Sequence, residues 1–131
     1  MGLYYDEANQ IFYISNHDSY SVTQWYIGDY EPRNIYAGIP GRAGNSSAQF
    51  FYQDGITLDK YGNLYVADSQ NNRIQFFCPN AVFAQTIAGT GASGHGATEL
   101  NDPSDIVLDA DLNLYVSDTF NGRVQKFMRI K

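Results

Sequence analysis

Cysteine is nearly absent from this chain, Cys78 being its only one. A single thiol cannot close an internal disulfide, and without clustered histidines it is no metal site. Cys78 beside Pro79 therefore reads as a small, half-buried hydrophobe. Histidine is almost as scarce: His17 and His95 are the only two, too few to build a catalytic metal centre by themselves. Positive charge is in deficit, with 8 Lys and Arg against 14 Asp and Glu. The net charge of −6 repels phosphate backbones and anionic lipid, which disfavours nucleic acid as a partner. No apolar run approaches a membrane span. The opening MGLYYDEANQ has neither the basic region nor the apolar core of a leader, and Asp6 and Glu7 break a myristoylation pattern. Asn45-Ser46-Ser47 is a formal glycosylation sequon that matters only in a secretory setting.

Helical periodicity is also missing, because no window carries apolar residues at a spacing of 3.6 for long enough to bury one side of a helix. What is present is strand texture. Short runs of β-branched and aromatic residues, GITLD, NLYVAD, RIQFF and QTIAG, are separated by turn clusters such as DKYGN and SQNN. At 131 residues the chain fits one domain with a modest core.

The chain also repeats itself. GNLYVADSQNNRIQFF (62–77) returns as LNLYVSDTFNGRVQKF (112–127). At one constant offset Asp59 answers to Asp109, Leu64 to Leu114, Tyr65 to Tyr115, Val66 to Val116, Asp68 to Asp118, Asn71 to Asn121, Arg73 to Arg123 and Phe77 to Phe127. A worn copy opens the chain: GLYYD stands for GITLD, IFYISN for NLYVAD and SVTQW for RIQFF, with Asn16 in place of the Asp and Ser21 in place of the Arg. Four short strands per unit of roughly forty to fifty residues define a β-propeller blade. The expected fold is all-β, with about 2.75 blades of four antiparallel strands. The expected blades are 1–38, 39–89 and an incomplete 90–131.

These residues resemble the NHL repeat family, whose pattern is an inner strand ending in Asp, a Gly-Asn turn, LYVAD, then Asn-x-Arg-Ile or Asn-x-Arg-Val and an aromatic. DKYGNLYVADSQNNRIQFF matches closely, and DADLNLYVSDTFNGRVQKF lacks only the turn glycine. The resemblance implies a propeller, usually six-bladed, that binds partners on its loop faces. It implies a non-enzymatic module for a protein or peptide. The alternatives are a fragment of a propeller enzyme of metal-dependent lyase or hydrolase type, or of an RNA-binding tripartite-motif protein. Against RNA stands the acidic balance, although Lys126, Arg129 and Lys131 make the C-terminus locally basic. No RING or B-box cysteine pattern is present, so ubiquitin-ligase chemistry is not expected in this chain.

Alternation in NLYVAD places Leu64 and Val66 on one side and Tyr65 and Ala67 on the other, both apolar, as suits a sheet held between two neighbours. Asp68 with Arg73, and Asp118 with Arg123, flank corresponding turns and are expected to lock them through charge-assisted contacts. The candidate ligand-binding residues are Tyr20, Arg42, Tyr52, His95, Asp102 and Phe120, all in loops that differ between copies while the strands do not. Asp54, Asp102 and Asp105 are the carboxylates expected near the channel mouth. No cofactor, metal site or catalytic group is assigned, and Gly89-x-Gly91-x-x-Gly94 lacks the helix that a dinucleotide site needs. The first unit is expected to expose an apolar side around Leu3, Phe12 and Ile14, and the last to leave an unpaired edge over 124–130. The chain is therefore expected to be a fragment of a longer protein, or to pair with a second copy that completes a ring.

Overall fold

The computed structural model describes residues 2–129 and is all β apart from three single 3-10 turns. Met1, Ile130 and Lys131 lie outside the described residues, so the part of the expected free edge at Ile130 and of the basic C-terminus at Lys131 falls there too. Three antiparallel sheets follow one another along the chain. The first holds β1 (Leu3–Asp6), β2 (Ile11–Asn16), β3 (Ser21–Tyr26) and β4 (Asn34–Gly38). The second holds β5 (Ile56–Leu58), β6 (Leu64–Asp68), β7 (Arg73–Phe77) and β8 (Gln85–Gly89), and the third β9 (Pro103–Leu108), β10 (Leu114–Asp118) and β11 (Arg123–Phe127). Within each sheet the strands lie in chain order, as hairpin connections dictate.

The turns repeat with the strands. Asp59 follows β5 and accepts the Tyr61 and Asn63 amides at 2.9 and 3.1 Å, and the Asn63 side-chain amide at 2.9 Å. Asp109 does the same for Asp111 and Asn113. The left-handed position in this turn is filled by Gly62 (φ 84), yet Leu112 (φ 64) takes it in the third unit and Gln10 (φ 56) in the first. At the other end of each blade the chain passes through a 3-10 turn, His17–Ser19, Ser69–Asn71 or Thr119–Asn121. Each of these closes on a left-handed residue: Tyr20, Asn72 or Gly122.

The core is divided between the two gaps separating the sheets. Leu64 and Val66 enter the first gap with Ile56, Leu58 and Phe77, against Tyr13, Val22 and Ala37 of the first sheet. Tyr65, Ala67 and Ile74 enter the second, against Ile106, Leu114 and Val116. Every residue of β6 is consequently buried. Along the propeller axis the innermost strands approach closely: the Gly55 amide donates to Ser104 O at 2.8 Å, and a Cβ on Gly55 would stand 2.7 Å from Asp105 Cα. Glycine is the residue that fits there. Cys78 departs from expectation. It is exposed, following the last residue of β7. Among the described residues no helix is long and apolar enough to cross a membrane.

Candidate functional site

The 3-10 turns and the links entering β5 and β9 occupy one end of the blades, and the repeated polar residues build the framework there. Asp68 is fully buried and accepts from the Phe51 amide at 2.8 Å, the Asn71 side chain at 2.9 Å and Arg73 Nε at 2.8 Å. The rest of the guanidinium donates to the link, to Asn45 O at 3.0 Å, Ser46 O at 2.9 Å and Gln49 O at 3.1 Å. The third unit reproduces this clasp: Asp118 accepts from the Asn101 amide, Asn121 and Arg123, and Arg123 donates to His95 O, Gly96 O and Glu99 O. A planar guanidinium presents donors in a fixed fork, so one side chain ties a turn and a link together.

The first unit lacks both partners. Asn16 turns inward to Thr23 Oγ1 at 2.8 Å, and Gln53, reaching back from the link, donates to Asn16 O at 3.1 Å and Ser21 O at 2.9 Å. The ion pair of the other two units is thus replaced by a neutral Asn16–Thr23 contact, while the buried Gln53 amide ties the two backbone carbonyls.

Upon this framework lies an aromatic cluster. The Tyr52 ring lies 4.9 Å from His17, 5.3 Å from Tyr20 in edge contact, and 5.1 Å from Phe51 in a stack. Tyr20 also meets Phe51 at 6.4 Å. Tyr20 (φ 59) and Tyr52 (φ 50) both hold left-handed backbone, which costs a non-glycine residue on the order of 1–2 kcal/mol. A hydrogen bond with Tyr52 raises the Tyr20 hydroxyl above the ordinary tyrosine value. The fold does not demand these rings. The amides of Phe51 and Asn101 bond equivalent aspartates, and the next residue is Tyr52 in one unit and Asp102 in the other. The residues closing the three turns are Tyr20, Asn72 and Gly122.

Around the cluster the character is acidic. Asp102 (φ 54) is half-buried, donates its amide to Asn72 Oδ1 at 3.0 Å and accepts from Gln70 at 3.2 Å. Its carboxyl is pushed up by burial and by Asp54, while Gln70 and His17 pull it down. Asp18 is exposed beside His17, with Oδ1 3.2 Å from Nδ1. Tyr20, Tyr52 and Asp102 therefore share this rim. Arg42 is exposed on the link that touches the first turn, where the Gly41 amide donates to Ser19 O at 2.8 Å. His95 is exposed and contributes its carbonyl to the Arg123 clasp. Phe120 is 71% exposed on the third turn. Sequence reasoning missed Phe51; set against Asn101 in the other copy, the dipeptide Phe51-Tyr52 was the available signal. Among the described residues no three His, Cys, Asp and Glu side chains gather in a way that could hold a metal ion.

At the opposite end of the blades a cleft of about 250 Å³ opens between the second and third sheets, lined by Asp59, Tyr65, Phe76, Ile87, Leu114 and Phe127 among others. Asp59, Asn63 and Tyr65 are engaged with each other there. The Tyr65 hydroxyl donates to Asp59 Oδ2 at 3.1 Å, and burial followed by the Asp59 charge pushes Tyr65 up to about 12.

The pattern of the NHL repeat matches residues 100–127. No curated protein matches the chain significantly. Among solved structures, a protein of unknown function from Bacteroides thetaiotaomicron superposes with a TM-score of 0.80 at 20% identity, over 95% of this chain and 34% of its own. An auxiliary nutrient binding protein from the same organism does so with a TM-score of 0.75 at 17% identity, over 95% of this chain and 36% of its own. Virginiamycin B lyase from Staphylococcus aureus follows with a TM-score of 0.56 at 16% identity, over 99% of this chain and 41% of its own. The chain thus spans about a third of the length of the first two. With three successive antiparallel sheets and a recurring Asp-Asn-Arg clasp, the chain has a β-propeller fold, and its residues 100–127 match the NHL repeat.

Proposed function

We propose that this chain is a non-enzymatic interaction module that binds a protein or peptide through the loop face carrying the 3-10 turns and the links into β5 and β9. The observation that supports it is the aromatic cluster of His17, Tyr20, Phe51 and Tyr52, which stands on repeated scaffold positions but is not itself repeated. Side chains that hold the blades recur in register; these do not. Large aromatic surface ringed by polar groups is what anchors a protein or peptide at a loop surface. Arg42, His95, Asp102 and Phe120 supply the rim in this reading. The likeness to a lyase bears on fold alone, given its 16% identity.

The test selects binders from a displayed peptide library against the immobilised chain, then measures the best synthetic peptide against variants. Tyr52→Ala and Phe120→Ala are expected to weaken binding by about tenfold or more with little change in melting temperature. Tyr61→Ala, on the opposite end and 58% exposed, is expected to leave it unchanged. A peptide indifferent to Tyr52 and Phe120 but lost with Tyr61 would refute the assignment.

A further inference from the structure

At the end away from the loop face, the gap between the first and second sheets is filled by a phenol. Tyr36 of β4 stands edge-on to the Tyr13 ring at 5.0 Å, and its hydroxyl crosses to the second sheet and donates to Gly62 O at 2.9 Å. Gly62 lies in the left-handed position of the turn that Asp59 ties. One side chain thus supplies both an aromatic filling and a hydrogen bond between neighbouring sheets.

The gap between the second and third sheets keeps the receiving parts and omits the phenol. Tyr65 faces Phe76 across its hairpin as Tyr13 faces Gln24, so Tyr65 stands where Tyr13 stands. Leu112 matches Gly62, left-handed at φ 64 in the turn that Asp109 ties. Tyr36 is matched by Ile87: each is passed over in the register shift just before a buried alanine and a left-handed glycine. Ile87 has no ring to lay on Tyr65 and no hydroxyl to offer Leu112 O. Tyr65 gives its own hydroxyl to Asp59 at 3.1 Å. Phe76 covers part of the Tyr65 ring, edge-on at 5.1 Å. The cleft of about 250 Å³ is what remains, between Tyr65, Phe76 and Ile87 on one side and Leu112, Leu114 and Phe127 on the other.

We propose that this cleft binds a small phenol, one ring with a hydroxyl and a short apolar substituent, which takes the place that Tyr36 fills in the first gap. The ring lies against Tyr65 and the apolar walls, and the hydroxyl donates to Leu112 O. Volume limits the occupant: sites for drug-sized ligands run to about 300–1,000 Å³, so a cleft of about 250 Å³ suits a single ring. The carbonyl sets the class, because an arene without a hydroxyl would cover Leu112 O and give it no donor. Asp59 and Arg129 both line the cleft, and their opposite charges leave no preference for a charged substituent. This site is distinct from the loop face and does not depend on what binds there.

The experiment titrates the isotope-labelled 131-residue chain with p-cresol, the tyrosine side chain without its backbone. Saturable amide shifts are expected at about millimolar concentration, at Ile87 and over 112–114 but not at Tyr52. Toluene, which has the same shape without the hydroxyl, is expected to bind at least about tenfold more weakly. Ile87→Tyr rebuilds the arrangement of the first gap and is expected to raise the melting temperature and abolish p-cresol binding. Three results would overturn the proposal: no saturable shifts in the cleft, equal binding of toluene, or undiminished p-cresol binding by a folded Ile87→Tyr chain. Shifts confined to Tyr20 and Tyr52 would also overturn it, by moving the phenol to the loop face. So would N-acetyltyrosinamide binding about tenfold more tightly than p-cresol, by assigning the cleft to a tyrosine of a peptide. Should Ile87→Tyr fail to fold, the toluene comparison on the unaltered chain decides.

Discussion

Replacing Arg73 by alanine removes four donor contacts at one stroke, to Asp68, Asn45, Ser46 and Gln49. Asp68 keeps the Phe51 amide and Asn71 but loses its counter-charge, while remaining fully buried. Breaking a buried ion pair from one side costs about 3–5 kcal/mol, because the stranded charge stays out of water. That is a large share of the roughly 5–15 kcal/mol that holds a domain together. Arg123→Ala removes the equivalent contacts, but the Arg123 side chain is 31% exposed against 10% for Arg73. Solvent therefore compensates more, and the loss is expected to be nearer 1–3 kcal/mol. Urea unfolding followed by tryptophan fluorescence from Trp25 reads both. Arg73→Lys is expected to recover only part, since an ammonium cannot reach the carboxylate and three carbonyls together. The reasoning fails if Arg73→Ala costs less than about 1 kcal/mol, or if it costs no more than Arg123→Ala.

Further expectations concern pH and backbone strain. Tyr65 is raised to about 12 in the fold, so it contributes stability that is intact below its ordinary value near 10 and lost as pH rises toward 12. Tyr65→Phe is expected to flatten the fall in urea midpoint between pH 9 and 11, and an unchanged slope would count against it. Asp109 and Asp118 are held below the ordinary carboxylate value, the former mainly by the Asn113 amide, the latter by the Asn101 amide, Asn121 and Arg123 against the opposing effect of burial. Their contribution is present above the unfolded value and disappears as pH falls through the folded one. Asp118→Asn is accordingly expected to be less stable at neutral pH and less acid-sensitive, measured by thermal melts between pH 3 and 7. Gln10→Gly relieves a left-handed exposed residue and is expected to raise stability by up to about 1 kcal/mol. A lower melting temperature in that variant would show the turn to be unstrained.

The strands were legible because each carries its own evidence. LYVAD is apolar on both sides, and only a strand between two sheets tolerates that. The recurrence of Asp and Arg at one offset read as a structural lock on the turn. Their partners were not legible, because Arg73 spends most of its donors on carbonyls of Asn45, Ser46 and Gln49, and a backbone acceptor leaves no signature in side-chain identity. Leu112 and Gln10 were hidden for a related reason: the turn requires positive φ, glycine is the signal for it, and the other two units meet the requirement without the signal. Cys78 was misread because a lone free cysteine usually packs as a small hydrophobe, whereas here it follows the last residue of β7 and is exposed. At the rim, Tyr20, Tyr52 and Asp102 could be picked out as loop residues, but the packing of Phe51 and His17 around Tyr52 depends on the first 3-10 turn meeting the link into β5, which no local pattern encodes.

The two clasps also show how much a blade owes to its neighbours. Asp68 and Asp118 have the same donors at nearly the same distances. Burial nonetheless pushes the Asp68 carboxyl above its ordinary value despite those donors, whereas in Asp118 the donors prevail over burial and hold the carboxyl below. Sequence and local geometry are shared; what differs is the protein around them. The second sheet is covered on both sides, while Val107 and Val124 of the third stand exposed. The desolvation of a carboxylate depends on atoms well beyond its hydrogen bonds, so covering the third sheet would move Asp118 toward the condition of Asp68. A repeated motif in a propeller therefore fixes which contacts form, and the adjoining blades fix how much they are worth.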